Sequence, residues 1–413
     1  MTRKAGAIAG IDIGSSKVAV CAGARGEAGV DIVGLGWGPS FGIRKGMVVD
    51  IEETVASITA ALDETERMAG QPLTDAYVGV NGNHVDAVLS KGVIAVSRAD
   101  GEITFQDVGR VIDAARAIPA HPNREIIHVI PKAYIVDGVE GIKDPVGMSG
   151  TRLEVEAHVI SGSINAIKNL TTCVTRAGLN IRGLVYAPLA TSALLLNKRQ
   201  KSLGVALIDI GANSTSLTVY EEGDIIHTAF IPVGSAHITY DLAIGLKTNI
   251  DTAELVKIKY GSAVPERVDK HTIIDLNTFD KNEDQVTEGR YVAEIVEARL
   301  SEIFLMVKDE LRKVDREGML PSGAVLTGAG AKTDGIVELC KDQLKLPAQV
   351  GAPVVDFSGM VDKADDPVYA TALGLLLWEA DENPSAVGPI RLGPGALSGA
   401  LGKVGGLFRH LLP

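Results

Sequence analysis

The chain has 413 residues, 46% apolar and 22% charged, enough apolar side chains to fill the cores of more than one domain. A net charge of −12 argues against nucleic acid as a partner, because phosphate binding draws on Lys and Arg. Cys21, Cys173 and Cys340 form neither a metal-ligand spacing nor an even disulfide set and suit a reducing compartment. No signal-peptide core follows Met1-Thr2-Arg3-Lys4, and no uncharged stretch reaches the roughly 18 apolar residues of a membrane span.

In chain order, the first predicted element is a hairpin. Ile8 to Val20 reads IAGIDIGSSKVAV: an apolar strand ending in Ile-Asp-Ile-Gly, small hydroxyl residues, then a second β-branched strand. Ile51 to Met68 has helical periodicity, and Ala76 to Val80 reads as a strand. From about His84 to Ala157 the texture changes to short strands around one helix, Phe105 to Ile118, as expected of an inserted subdomain. Leu179 to Leu196 returns through a strand and the apolar helix Ala190–Leu196. Val205 to Val219, VALIDIGANSTSLTV, then repeats the first hairpin. A repeat this widely spaced predicts two lobes with one common hairpin, not a short-period solenoid. Ser235 to Tyr260 is mostly helical. Tyr291 to Lys313 is a long amphipathic helix with Val292, Ile295, Val296, Ile303, Phe304, Val307 and Leu311 on one side, and Met306 as core filling. Ala324 to Ala331, AVLTGAGA, is a strand running into glycines, and Asp381 to Gly395 is a proline- and glycine-rich linker.

The paired hairpins carry the chemistry. A strand-turn-strand with glycine at the bend exposes backbone N–H groups to phosphate oxygens. Around the two bends stand Gly14, Ser15, Ser16 and Lys17 in the first copy, and Gly211, Ala212, Asn213, Ser214 and Thr215 in the second. The hydroxyls of Ser15, Ser16, Ser214 and Thr215 and the Lys17 ammonium are donors suited to β- and γ-phosphates. Asp12 and Asp209, one at each strand end, are placed to hold Mg²⁺ through water, as that cation prefers. One Asp-Xaa-Gly alone is an ordinary hairpin turn; two matching copies are harder to explain that way. Gly328, Ala329 and Gly330 offer bare backbone to an adenine or ribose, a role that a tight strand-to-helix turn would equally explain. Glu254 and Lys257, three apart on one helical face, are placed to reach ribose hydroxyls or to pair with each other.

On a wheel of about 100° per residue, Leu397, Leu401, Val404, Phe408 and Leu411 share one face, flanked by Leu407 and Leu412, while Lys403 and Arg409 lie outside it. This predicts an interfacial amphipathic helix, too short to span. The last acidic residue is Glu382, so Lys403 and Arg409 face anionic lipid unopposed.

The order hairpin, hairpin, glycine-rich loop resembles the actin superfamily. More narrowly, the chain is similar to the FtsA family of bacterial cell-division proteins over nearly its whole length. The matching stretches are Gly42–Asp50, His128–Ile160, Tyr186–Ala193, the second hairpin and Thr371–Trp378. The resemblance implies an α/β, actin-like (ribonuclease H-like) two-lobed fold with an inserted subdomain and a C-terminal amphipathic helix. It implies a lobe 1 core at 1–83 and 163–202, the insert at 84–162, and a lobe 2 core at 203–240 and 323–365. A further subdomain at 241–322 would bind the FtsZ C-terminal tail. A return helix at 366–380, a linker at 381–396 and the membrane helix at 397–413 complete the chain. It further implies ATP or ADP with Mg²⁺ in the cleft, self-assembly into filaments, and contacts with other division proteins through the insert. Gly234 and Ser235 stand where the family usually has paired glycines. The segment Ala187-Pro188-Leu189-Ala190 lacks the Gln or Glu with which hydrolysing relatives orient water, so weak or absent ATP hydrolysis is expected. The alternatives are a sugar or acetate kinase of the same superfamily, which would need a catalytic acid, and a PilM-like pilus-assembly adaptor, which would normally lack the tail.

Overall fold

The computed structural model describes residues 6–25, 30–98, 100–117, 123–360 and 363–380. The expected linker at 381–396 and membrane helix at 397–413 lie outside the described residues. Lobe 1 opens with β1 (Ile8–Ile13), β2 (Lys17–Arg25) and β3 (Val30–Pro39), then the small hairpin β4 (Ile43–Arg44) and β5 (Met47–Val48). Helix α1 (Ile51–Ala69) and β6 (Asp75–Val80) follow. The insert comprises β7 (Asp86–Ala95), α2 (Phe105–Ala117), β8 (Arg124–Val136), β9 (Val139–Ile142) and β10 (Arg152–Ser163). Lobe 1 resumes with α3 (Ile164–Arg176), β11 (Asn180–Tyr186), α4 (Ala187–Leu195) and the short α5 (Lys198–Leu203). Lobe 2 contains β12 (Val205–Ile210), β13 (Thr215–Glu221), β14 (Asp224–Ile231), α6 (Ser235–Leu246) and α7 (Ile250–Tyr260). It continues through β15 (Ile273–Asp275), β16 (Val286–Glu288), α8 (Gly289–Arg312), β17 (Ala324–Thr327), α9 (Ile336–Leu344) and β18 (Ala348–Val350); β19 (Ser358–Gly359), expected within lobe 2, instead pairs in parallel with β3 of lobe 1. Helix α10 (Ala370–Ala380) returns to lobe 1.

The sequence repeat is a repeat of topology. Lobe 1 orders its strands β11-β6-β1-β2-β3, with β19 added at the β3 edge, and lobe 2 orders them β18-β17-β12-β13-β14. In each sheet the first strand of the hairpin is antiparallel to its partner on one side and parallel to the next strand on the other. Both Asp-Xaa-Gly bends therefore leave their sheets at equivalent ends. Local signals fix the flanking helices. Asp50 caps α1 through the Glu53 amide at 3.0 Å, and Asn249 caps α7 through the Thr252 amide at 2.8 Å. Helix α8 buries Val292, Val296, Ile303, Phe304, Val307 and Leu311, as its periodicity predicts. Ile295 and Met306 are partly buried against the same core.

Two elements differ from the sequence reading. The insert strands are long: β8 has 13 residues and β10 has 12. Pro131 lies beside a register shift between Glu156 and Ala157, a bulge where proline's missing N–H interrupts the ladder least. Helix α4 begins at Ala187 rather than Ala190, because Pro188 sits in the first turn, where an N–H is not required.

Helices α4 and α10 cross at the junction of the lobes. A Cβ on Gly374 would lie 2.1 Å from the Ala190 carbonyl oxygen, and one on Gly10 would lie 2.1 Å from that of Ala372. Backbones meet there without side chains between them, and Thr191 and Thr371 share a buried hydrogen bond of 2.9 Å. The insert is tied to both lobes. Its His128 Nε2 accepts the Tyr186 N–H at 3.0 Å, and its Lys143 pairs with Asp224 of lobe 2. The Tyr186 hydroxyl meets Thr228 Oγ1 of lobe 2 at 2.6 Å, so one residue touches all three bodies. Among the described residues, no helix is long and apolar enough to cross a membrane.

Candidate functional site: a two-hairpin cleft

The two bends have the same internal geometry. The Gly14 N–H donates to the Lys17 carbonyl at 2.9 Å, and the Gly211 N–H donates to the Ser214 carbonyl at 2.9 Å. No backbone carbonyl among the described residues accepts from the amides of Ser15, Ser16, Ala212 or Asn213, leaving them for a ligand. Asp12 pairs with Ala19 across the first hairpin, and Asp209 with Ser216 across the second.

The electrostatics join the lobes. Lys17 Nζ lies 3.8 Å from Asp12 Oδ2, whose side chain is 22% exposed, and also donates to the Val368 carbonyl. Burial raises the Asp12 carboxyl above its ordinary range, partly offset by Lys17. Burial, with the charge of Asp12 adding to it and Lys17 opposing, pushes Asp209 up to about 6. Asp209 thus feels the charge of Asp12 across the cleft. Such a pair favours a bound divalent cation, whose charge compensates both.

The remaining expected residues divide into two sets. Gly14, Ser15, Ser16, Lys17, Ala212, Asn213 and Ser214 are partly or fully exposed around the bends. Thr215 corrects the sequence reading: it is buried, and its hydroxyl donates to the Val233 carbonyl at 2.9 Å, because alternation along β13 turns it into lobe 2. Gly234 and Ser235 brace the second bend. A Cβ on Gly234 would lie 2.5 Å from the Gly211 oxygen, and the Ser235 amide and hydroxyl both reach that oxygen, at 2.9 and 3.1 Å. Gly328, at φ +81°, lies against Asp209, where a Cβ would come within 2.3 Å of Oδ1. Gly330 packs on Ile210, so Ala329 is the exposed member of that loop. Lys257 Nζ donates to Glu254 at 2.6 Å and to Thr239 at 2.9 Å, with the Ser235 carbonyl at 3.4 Å. Glu254 and Lys257 therefore stand behind the second bend as an ion pair. The sequence reading missed Asn81, whose Nδ2 donates across the lobes to Ser216 Oγ at 2.7 Å. It missed Val368 as well. Only the repeat register could have flagged Ser216, which occupies the place of Ala19.

The family model described as cell division protein FtsA matches residues 206–374, and that described as an SHS2 domain inserted in FTSA matches residues 82–161. Cell division protein FtsA of Bacillus subtilis is 41% identical over 89% of this chain and 82% of its own length. The Pseudomonas aeruginosa protein of the same name is 37% identical over 90% of this chain and 88% of its own. Among solved structures, the PilM-PilN type IV pilus biogenesis complex matches with a TM-score of 0.67 at 18% identity, covering 91% of this chain and 98% of that one. MreB5 of Spiroplasma citri bound to ADP matches with a TM-score of 0.54 at 14% identity, covering 91% and 97%. These structural likenesses show an actin-like fold, and the curated relatives, at twice that identity over most of the chain, narrow it: the chain belongs to the FtsA family of cell-division proteins.

Proposed function

We propose that the chain is an ATP-binding, self-assembling adaptor that holds FtsZ filaments against the cytoplasmic face of the membrane at the division site. The observation that carries this reading is the pair of matched hairpins, one per lobe, with Asp12, Asp209 and Lys17 between them. Free amides and hydroxyls at both bends fit a triphosphate, and two partly buried carboxylates fit a water-coordinated Mg²⁺. The fold relative MreB5 of Spiroplasma citri has been solved with ADP and with AMPPNP, which supports a nucleotide as the ligand class. When bound, Mg²⁺ would supply the positive charge that compensates Asp12, Asp209 and the phosphates, while the chain's own residues would bind and orient the nucleotide. Ala187, Pro188, Leu189 and Ala190 offer no group to position water, so nucleotide acts as a structural ligand joining the lobes.

The membrane role rests on the amphipathic pattern of Leu397, Leu401, Val404, Phe408 and Leu411. A single short tail binds weakly and reversibly, and a filament of such chains gains avidity without a new contact type. For the FtsZ tail, the 241–322 subdomain exposes Ile244 on α6, with Tyr291 on the adjacent α8, an apolar surface suited to a short peptide.

Co-sedimentation with anionic liposomes tests the reading. The full chain should pellet and carry FtsZ tail peptide with it; a chain lacking 397–413, or carrying Phe408→Glu, should remain in solution. Equal pelleting of the truncated chain, or no retention of peptide by the full chain, would remove the adaptor assignment.

A further inference from the structure

We propose that Asn81 is a positioning residue of the cleft, whose hydrogen bond to Ser216 clasps the lobes beside Asp209 and sets the site that receives the metal-bound phosphates. The inference rests on the reading of the cleft as a Mg·nucleotide site.

Asn81 directly follows β6, which runs parallel to β1 with Val78 opposite Ile11. Three residues further along each strand, Asn81 is level with Gly14 at the bend. Its Nδ2 donates to Ser216 Oγ of lobe 2 at 2.7 Å, and its Oδ1 accepts the Gly82 N–H at 2.9 Å, which orients the NH₂ toward lobe 2. The β4–β5 turn presses on it from behind: a Cβ on Gly46 would lie 2.3 Å from the Asn81 carbonyl oxygen. The carboxamide is therefore held by its own lobe and offered to the other.

Ser216 is 4% exposed and stands directly opposite Asp209 in the β12–β13 pair. Paired residues share one face of a sheet with Cβ atoms about 4.5–5.5 Å apart, so the hydroxyl lies beside the carboxylate. A serine hydroxyl has one proton. Because Asn81 is the donor in the bond between them, Ser216 keeps its proton to give toward Asp209 or an oxygen bound there. With the Asn81 bond in place, a bound phosphate oxygen would complete a donor chain, Asn81 to Ser216 to the anionic end of the site. The first hairpin has no counterpart, since Ala19 occupies that place opposite Asp12. The clasp is a single asymmetric contact between otherwise matched halves, and it brings a carboxamide to a cleft whose Ala187–Ala190 segment supplies none.

Isothermal titration of Mg·ATP into the full chain tests this, with Asn81→Ala, Ser216→Ala, the double variant and Ser216→Thr, alongside melting of each nucleotide-free protein. Either alanine variant should bind Mg·ATP about tenfold more weakly, the range of one hydrogen bond to a charged group. The double variant should lose no more than either single one, as for two members of one contact. Ser216→Thr, which keeps the hydroxyl, should bind like the parent. The nucleotide-free melting temperatures should stay close to the parent's, because a merely structural role would lower them and leave affinity unchanged. Wild-type affinity in Asn81→Ala, or independent losses that add in the double variant, would overturn the clasp while leaving the nucleotide site standing. Failure of the parent protein to bind Mg·ATP would overturn the site and the clasp together.

Discussion

Acid should loosen the junction between insert and lobes, and His128 should account for a measurable share of the effect. His128 is buried on β8, its Nδ1 has no partner among the described residues, and its Nε2 accepts the Tyr186 amide. Burial lowers its pKa from 6.5 to about 4. Neutral imidazole suits that hydrogen bond; a proton on Nε2 would face donor against donor. The folded value is below the unfolded one, so the stabilisation is fully present above pH 6.5 and is lost as pH falls toward 4. Linkage between those values gives a loss of about 2 kcal/mol on going from pH 7 to pH 5. Other groups overlap this window: burial holds His84 and His158 low, which adds to the loss, while Asp209 is held high and opposes it. A His128→Gln variant keeps an acceptor for the Tyr186 amide but does not titrate. Subtracting its pH dependence in urea unfolding cancels the shared groups. Trp378 gives a direct readout, because its ring centroid lies 5.3 Å from that of His128. Acid quenching of the indole should therefore follow the His128 proton, with a midpoint near 4, and disappear in the variant. A midpoint near 6.5, or equal pH slopes in the two proteins, would refute the assignment of a buried neutral imidazole.

Gly374→Val should destabilise the protein by about 1–3 kcal/mol through overpacking, since the new Cβ would meet the Ala190 carbonyl oxygen at 2.1 Å; thermal unfolding would show it, and an unchanged melting temperature would mean that the α4–α10 crossing adjusts freely. Asp209→Asn should make the nucleotide-free protein more stable at pH 7, by up to about 3 kcal/mol for a folded pKa of about 6 against 3.8. That gain should vanish below about pH 3, where the wild-type carboxyl is protonated in both states, while calorimetry should show weakened Mg·ATP binding. Steady-state phosphate release by the isolated chain should stay below about 1 s⁻¹, the lower end for dedicated phosphoryl-transfer enzymes. A faster rate would show that a residue outside the Ala187–Ala190 segment positions the water.

The sequence by itself determined the architecture, because the signals that specify it are local. The helical periodicity of Ile51–Met68 and the apolar face of Tyr291–Lys313 are read within a few residues. The repeated Ile-Asp-Ile-Gly predicts two matching lobes, and a change of texture places an insert from about His84 to Ala157, whereas its last strand runs on to Ser163. Elements blurred where one residue carries two meanings. The insert strands expected to be short run on through a bulge beside Pro131, and the helix expected from Ala190 opens at Ala187, with Pro188 in its first turn. What only the tertiary structure decided were the pairings between distant segments. Nothing near Asn81 points to Ser216, or near Tyr186 to His128 and Thr228. Thr215 and Ser214 are adjacent hydroxyl residues in the sequence, yet the period of two along a strand buries one and leaves the other at the bend. The raised pKa of Asp209 likewise has no local cause. It needs a second carboxylate from the other lobe and the exclusion of water between them, and both arise only when the two hairpins are brought face to face.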